Sequence, residues 1–192
     1  MNLRDTGIGE EGLRFLAQSP PLEKIVCIDL SDNSLTGEGM EALARSEVFP
    51  NLKVLILNNN YLGDDGVYAM TESPMFENLE TLIMRNNGLT TDSALSLSKS
   101  KTMTRLQTLD LNNNDLRAEG VTALADSSNM KHLETLDLGE NKVGPENNGI
   151  LYSTLPDSLA SRNFSDFPFG SIIPEMPLFA DLAIKTPSST DR

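Results

Sequence analysis

The side chains that could do chemistry are few, and their spacing does not favour it. The chain has one histidine, His132, and one cysteine, Cys27. Nucleophilic catalysis needs a serine or cysteine beside an oriented base, and nothing in the sequence sets such a group beside His132. Serines recur at Ser19, Ser46, Ser73, Ser100 and Ser127, each 27 residues after the last. A residue repeated five times is scaffold, not a catalytic singleton. The stretch beginning at Asp110 (DLNNND) starts like a calcium loop, but Asp115 stands where glycine is needed and Val121 where the bidentate glutamate belongs. There is no CxxC, HExxH or glycine-rich phosphate loop. Asp110 and Asp137 would sit on adjacent strands, but the repeat supplies that pairing without any tuned environment. The expectation is a protein that is not an enzyme and uses no cofactor and no metal.

The 27-residue interval runs through most of the chain. Asn33, Asn60, Asn87, Asn114 and Asn141 share one column, with Thr6 one period earlier. Apolar residues keep phase with them at Ile28/Leu55/Leu82/Leu109/Leu136 and at Leu30/Leu57/Met84/Leu111/Leu138. Two later columns are also apolar, Leu13/Met40/Val67/Ala94/Val121 and Leu16/Leu43/Met70/Leu97/Leu124. The first pair alternates in and out and predicts a short strand; the second has helical spacing. Gly12, Gly39, Gly66 and Gly120, with Ser93 in the fourth repeat, form a column where the helix is expected to start against the strand layer. Each unit therefore reads strand, turn, helix, loop, and must stack on its neighbours to bury its apolar face.

The segments LETLIMRNNGL (Leu79 to Leu89) and LQTLDLNNNDL (Leu106 to Leu116) follow LxxLxLxxNxL. On these residues the chain resembles the leucine-rich repeat family. The period and the full helix look like the ribonuclease-inhibitor-type subclass, which Ran GTPase-activating proteins share. The resemblance implies an α/β solenoid, a horseshoe arc with parallel strands on the concave face and helices on the convex face. About six 27-residue units are expected over residues 1–155, followed by an irregular tail or cap over 156–192 that holds five of the ten prolines and four phenylalanines. A last degenerate helix is expected from about Pro145 to Leu155.

Within that frame the asparagine column (Asn33, Asn60, Asn87, Asn114, Asn141) is expected to be structural, each buried amide pairing backbone groups of adjoining turns. Acids before the glycine column, such as Glu38, Asp64, Asp65 and Glu119, fit the first turn of each helix, where carboxylates are favoured. The outward strand positions are the candidate partner-binding site: Asp29, Ser31, Val54, Ile56, Asn58, Thr81, Ile83, Arg85, Thr108, Asp110, Asn112, Thr135 and Asp137, with Cys27, Asp32, Asn59, Asn86, Asn113, Gly139 and Glu140 beside them. Nothing in the repeat dictates these residues. They combine a small apolar patch, Val54, Ile56 and Ile83, with a polar rim, as protein interfaces do. Replacing Ile56 and Ile83 with lysine is expected to abolish binding and spare the fold.

Charge narrows the partner. A net charge of −13 and a pI near 4.4 argue against nucleic acid and against an anionic membrane surface. No run of 18 apolar residues predicts a membrane span, and the N-terminus has no signal-peptide pattern. With a single cysteine and no disulfide framework, the expected compartment is the reducing cytoplasm. The reading is therefore a non-enzymatic protein-interaction module for a protein partner, a monomer or part of a longer repeat protein. The alternatives are a GTPase activator of the Ran type and a fragment of a larger receptor or adaptor.

Overall fold

The computed structural model describes residues 1–143. The expected helix from Pro145, the boundary at 155 and the tail over 156–192 lie outside the described residues. Within them, helices α1 (Gly9–Ala17), α2 (Gly37–Ala44), α3 (Gly63–Glu72), α4 (Thr91–Lys99) and α5 (Arg117–Ala125) alternate with strands β1 (Cys27–Asp29), β2 (Val54–Ile56), β3 (Thr81–Ile83), β4 (Thr108–Asp110) and β5 (Thr135–Asp137). The strands form one parallel sheet in chain order. Register follows the repeat, with Cys27 opposite Val54, Val54 opposite Thr81, Thr81 opposite Thr108 and Thr108 opposite Thr135. Asn2 bridges Asp29 in parallel, a partial sixth rung ahead of β1.

The core lies between the two layers. Ile28, Leu55, Leu82 and Leu109, the middle residues of their strands, are fully buried, as are Met40, Val67 and Ala94 from the helices. Strands in a sheet stand about 4.8 Å apart, whereas packed helices need about 8–10 Å. Equal numbers of each therefore bend the stack, with strands on the inner side. This is an α/β solenoid.

The glycine column has a different role from the expected one. Gly39, Gly66 and Gly120 lie inside the first turn of their helices and face the preceding helix rather than the strands. A Cβ on Gly66 would come within 3.3 Å of the Gly37 Cα, and one on Gly120 within 2.9 Å of the Ala94 Cβ. Small residues here let successive helices close up.

The asparagines form the expected ladder. Asn60 Oδ1 accepts the backbone N–H groups of Asn33 (3.1 Å) and Leu35 (3.0 Å), while its Nδ2 donates to the carbonyls of Leu30 and Leu57. Asn114 does the same one double repeat later, taking the N–H groups of Asn87 and Leu89. The serine column caps the loops as scaffold: Ser100 Oγ donates to the Thr71 carbonyl and Ser127 Oγ to that of Ser98.

The turn after each asparagine is not the same in every repeat. After Asn33 and Asn87 the next residue, Ser34 or Gly88, is left-handed, and Thr36 or Thr90 is an extended N-cap. After Asn60 and Asn114 the left-handed residue comes three places on, at Gly63 or Arg117, and Leu62 or Leu116 is already helical. The structural period is thus two repeats, 54 residues, beneath an apolar period of 27.

Candidate functional site

The strand face is built from rows that cross the sheet. One row is Cys27, Val54, Thr81, Thr108, Thr135; the next is Asp29, Ile56, Ile83, Asp110, Asp137. Alternation within each three-residue strand sends both rows away from the helices. Val54, Ile56 and Ile83 pack against one another with half-buried Cys27 beside them. They are covered more fully than an interface centre requires: Ile56 is 8% exposed and Ile83 3%. The expected apolar patch is therefore a small secondary core. The reachable atoms of the face belong to Asp29, Asn58, Arg85, Thr108, Asn112, Thr135 and Asp137, each exposed or half-buried.

Thr81 is buried, and Ser31 does not join them either. It is fully buried and its hydroxyl has no hydrogen-bond partner, so it cannot touch a partner molecule. Its N–H donates to Asp29 Oδ1 (2.9 Å). Nor are Asp32, Asn59, Asn86, Asn113 and Glu140 free of fold constraints. All five are left-handed, with φ between 52° and 59°. That conformation favours Asn and Asp among residues with a Cβ, which explains the recurring type without any partner.

Arg85 organises the polar half of the face. Its Nε reaches Asp110 Oδ2 at 2.5 Å and its Nη2 reaches Asp137 Oδ2 at 3.2 Å, crossing two strands. The backbone N–H groups of Asn112 and Gly139 donate to Asp110 and Asp137 in turn. Burial, and then the nearby charge of Asp137, push the Asp110 carboxyl above its ordinary range, against the opposing pull of the Asn112 N–H and Arg85. Two carboxylates thus share one guanidinium. Sequence reasoning set all three on this face without joining them, although Arg85 is the one base among the face residues and stands one and two repeats ahead of two acids.

The chemistry of the remaining candidates is modest. Burial raises the Cys27 thiol, which disfavours the reactive thiolate. His132 is exposed in the loop before β5, beside Glu80, Arg105 and Glu134. Among the described residues no group of three or more His, Cys, Asp or Glu side chains could hold a metal ion, and no helix is long and apolar enough to cross a membrane.

A strand, a tight turn closed by a buried asparagine, and a helix, repeated in register, define a repeat class by geometry alone. The leucine rich repeat family matches residues 23–44, 50–70, 102–125 and 129–146 of the chain. This is a leucine-rich repeat protein. No curated protein matches it. Residues 77–98 fall between the matched segments, yet the leucine-rich repeat built around β3 and α4 keeps strand register with both neighbours. Leucine-rich repeats generally serve as non-enzymatic modules that bind other proteins.

Proposed function

We propose that this leucine-rich repeat array is a non-enzymatic binding module that holds a protein partner against its concave strand face. The observation that carries the reading is where the repeat loses its regularity. Scaffold columns keep their residue type from repeat to repeat, whereas the row Asp29/Ile56/Ile83/Asp110/Asp137 switches from acid to isoleucine and back, and the column Asn58/Arg85/Asn112 from amide to guanidinium and back. Residues that a fold leaves unconstrained are the ones a partner can select. The full α-helix in every described unit supports the ribonuclease-inhibitor-type subclass, and the lone cysteine supports a reducing, cytoplasmic setting. The protein acts in this reading as a monomer or as part of a longer repeat protein.

The test is affinity capture with the wild type and a Thr108→Arg/Thr135→Arg variant. Both positions are accessible and contribute nothing to the apolar cluster. Loss of the specifically captured proteins with an unchanged unfolding midpoint is expected. Capture of the same set by the variant would move the interface elsewhere. Lysine at Ile56 and Ile83 is a poorer probe, because it breaks up the packed cluster as well as the face.

A further inference from the structure

The helix layer carries a groove that strand-face binding leaves unused. It lies between α2 and α3 and measures about 1000 Å³, at the upper end of what ligand pockets reach. Gly37 sets one end, where the helices nearly touch: a Cβ there would come 3.0 Å from the Leu62 carbonyl oxygen. The loops that follow both helices wall the other end, and Pro50, Ala69 and Pro74 supply accessible apolar lining.

Its charge is one-sided. Seven carboxylates line it against a single base, Arg45, which is already paired with Glu41 at 2.5 Å. Glu23, Glu47, Asp65, Glu72 and Glu77 make no ion pair among the described residues. The helix ends add to this. α3 finishes at the groove without a base in its last turn, and the Arg45 that caps α2 is drawn to Glu41, whereas α1 and α4 have Arg14 and Lys99 in their last turns. A helix C-terminus carries partial negative charge that a cation relieves. Tyr68, on the wall, is 62% exposed and offers an aromatic face of the kind guanidinium groups stack on.

We propose that this groove docks a cationic segment of a protein partner, an arginine- or lysine-bearing stretch whose apolar side chains rest on Pro50, Ala69 and Pro74. The segment brings the cation that the α3 end lacks. It binds on the layer opposite the strand face and does not depend on what occupies that face.

The probe is a fluorescein-labelled arginine–leucine peptide, with a matched peptide carrying citrulline in place of arginine, titrated into the full chain by fluorescence anisotropy. A Glu47→Gln/Glu72→Gln/Glu77→Gln variant removes three groove charges. A Glu11→Gln/Glu119→Gln/Glu134→Gln variant removes three exposed charges elsewhere. The groove variant is expected to weaken the arginine peptide about tenfold or more and the control less than about twofold, since screened charges act mainly at short range. Tyr68→Ala should weaken it further at constant charge, and the citrulline peptide should not bind. Equal weakening by both triple variants would reduce the attraction to overall acidity and overturn the proposal, as would no binding by the wild type. None of these residues lies on the strand face, so that reading stands or falls separately.

Discussion

The joints between successive repeats come in two kinds. From the first repeat to the second and from the third to the fourth, an acid in one helix reaches the threonine that caps the next. Thr36 Oγ1 donates to Glu10 Oε2 at 3.0 Å; Thr90 donates to Asp64 through both its hydroxyl (2.7 Å) and its N–H (2.9 Å), and Ser93 adds its own N–H and hydroxyl. In the turns that follow Asn60 and Asn114 there is no capping threonine. Gly63 and Arg117 instead donate their N–H groups to the backbone carbonyls of Asn87 and Asn141. One kind of joint is made by side chains and the other by backbone. The difference teaches that an invariant apolar spacing fixes the stacking distance but leaves the polar closure of each turn to local residues.

The ladder offers the strongest way to break this comparison. Asn60 closes a turn of the first kind with all its polar atoms engaged. Asn87 closes one of the second kind: its Nδ2 donates to Leu57 and Arg85, but its buried Oδ1 has no partner. Asn60→Ala strands two buried N–H groups and two carbonyls and should cost about 3 kcal/mol, whereas Asn87→Ala should cost about 1 kcal/mol less. Urea midpoints for the two variants decide it; equal losses would mean the joints are energetically alike. Next in size is Gly120→Ala, whose new methyl meets Ala94 and the Thr91 Cα across a backbone-type joint. Overpacking should cost about 1–3 kcal/mol. Ser93, in the same column, already accommodates a Cβ because its hydroxyl is held by Asp64, so Ser93→Ala should instead show only the loss of that bond.

Much of this architecture was legible in the sequence. Five strands, their register, the buried asparagines and the two layers all follow from columns of one residue class. The alternation of joints was not, because the apolar columns repeat every 27 residues and drown a 54-residue signal carried by Thr36 and Thr90 alone against Gly63 and Arg117. The strand face was located but misjudged in texture. Alternation says which way Ile56, Ile83 and Ser31 point; it does not say that neighbouring strands cover them. The groove between α2 and α3 was missed because its carboxylates come from separate segments and have ordinary roles when taken singly.

Asp64 sharpens the comparison through pH. Burial pushes its carboxyl up, but the bonds from Ser93 and Thr90 outweigh that and hold it below the ordinary range. The folded state then binds this proton more weakly than the unfolded chain does. The joint's contribution is present above the usual carboxylate value and is lost as pH falls through the depressed one, below about pH 4. Asp64→Asn should cost about 1 kcal/mol at neutral pH and flatten the acid limb of the stability curve. An unchanged acid limb would remove Asp64 from the joint.

Asp110 should behave in the opposite sense, and the effect is the smallest. Its carboxyl is raised by burial and by Asp137, so the folded protein binds its proton more tightly than the unfolded chain does. Its contribution to stability is favourable below the usual carboxylate value and turns into a penalty as pH rises through the raised one. The ion pair with Arg85 is short, yet removing a buried charge that still leaves the cation a second acid need not destabilise. Asp110→Asn keeps an acceptor for the Asn112 N–H and leaves Arg85 with Asp137. It should therefore change stability at pH 7 by less than about 0.5 kcal/mol, and should lessen the fall in stability as pH rises above the usual carboxylate range. A loss comparable to that of Asn60→Ala would show that Arg85 and Asp110 belong to the scaffold, and would take them out of the surface on which a partner could act.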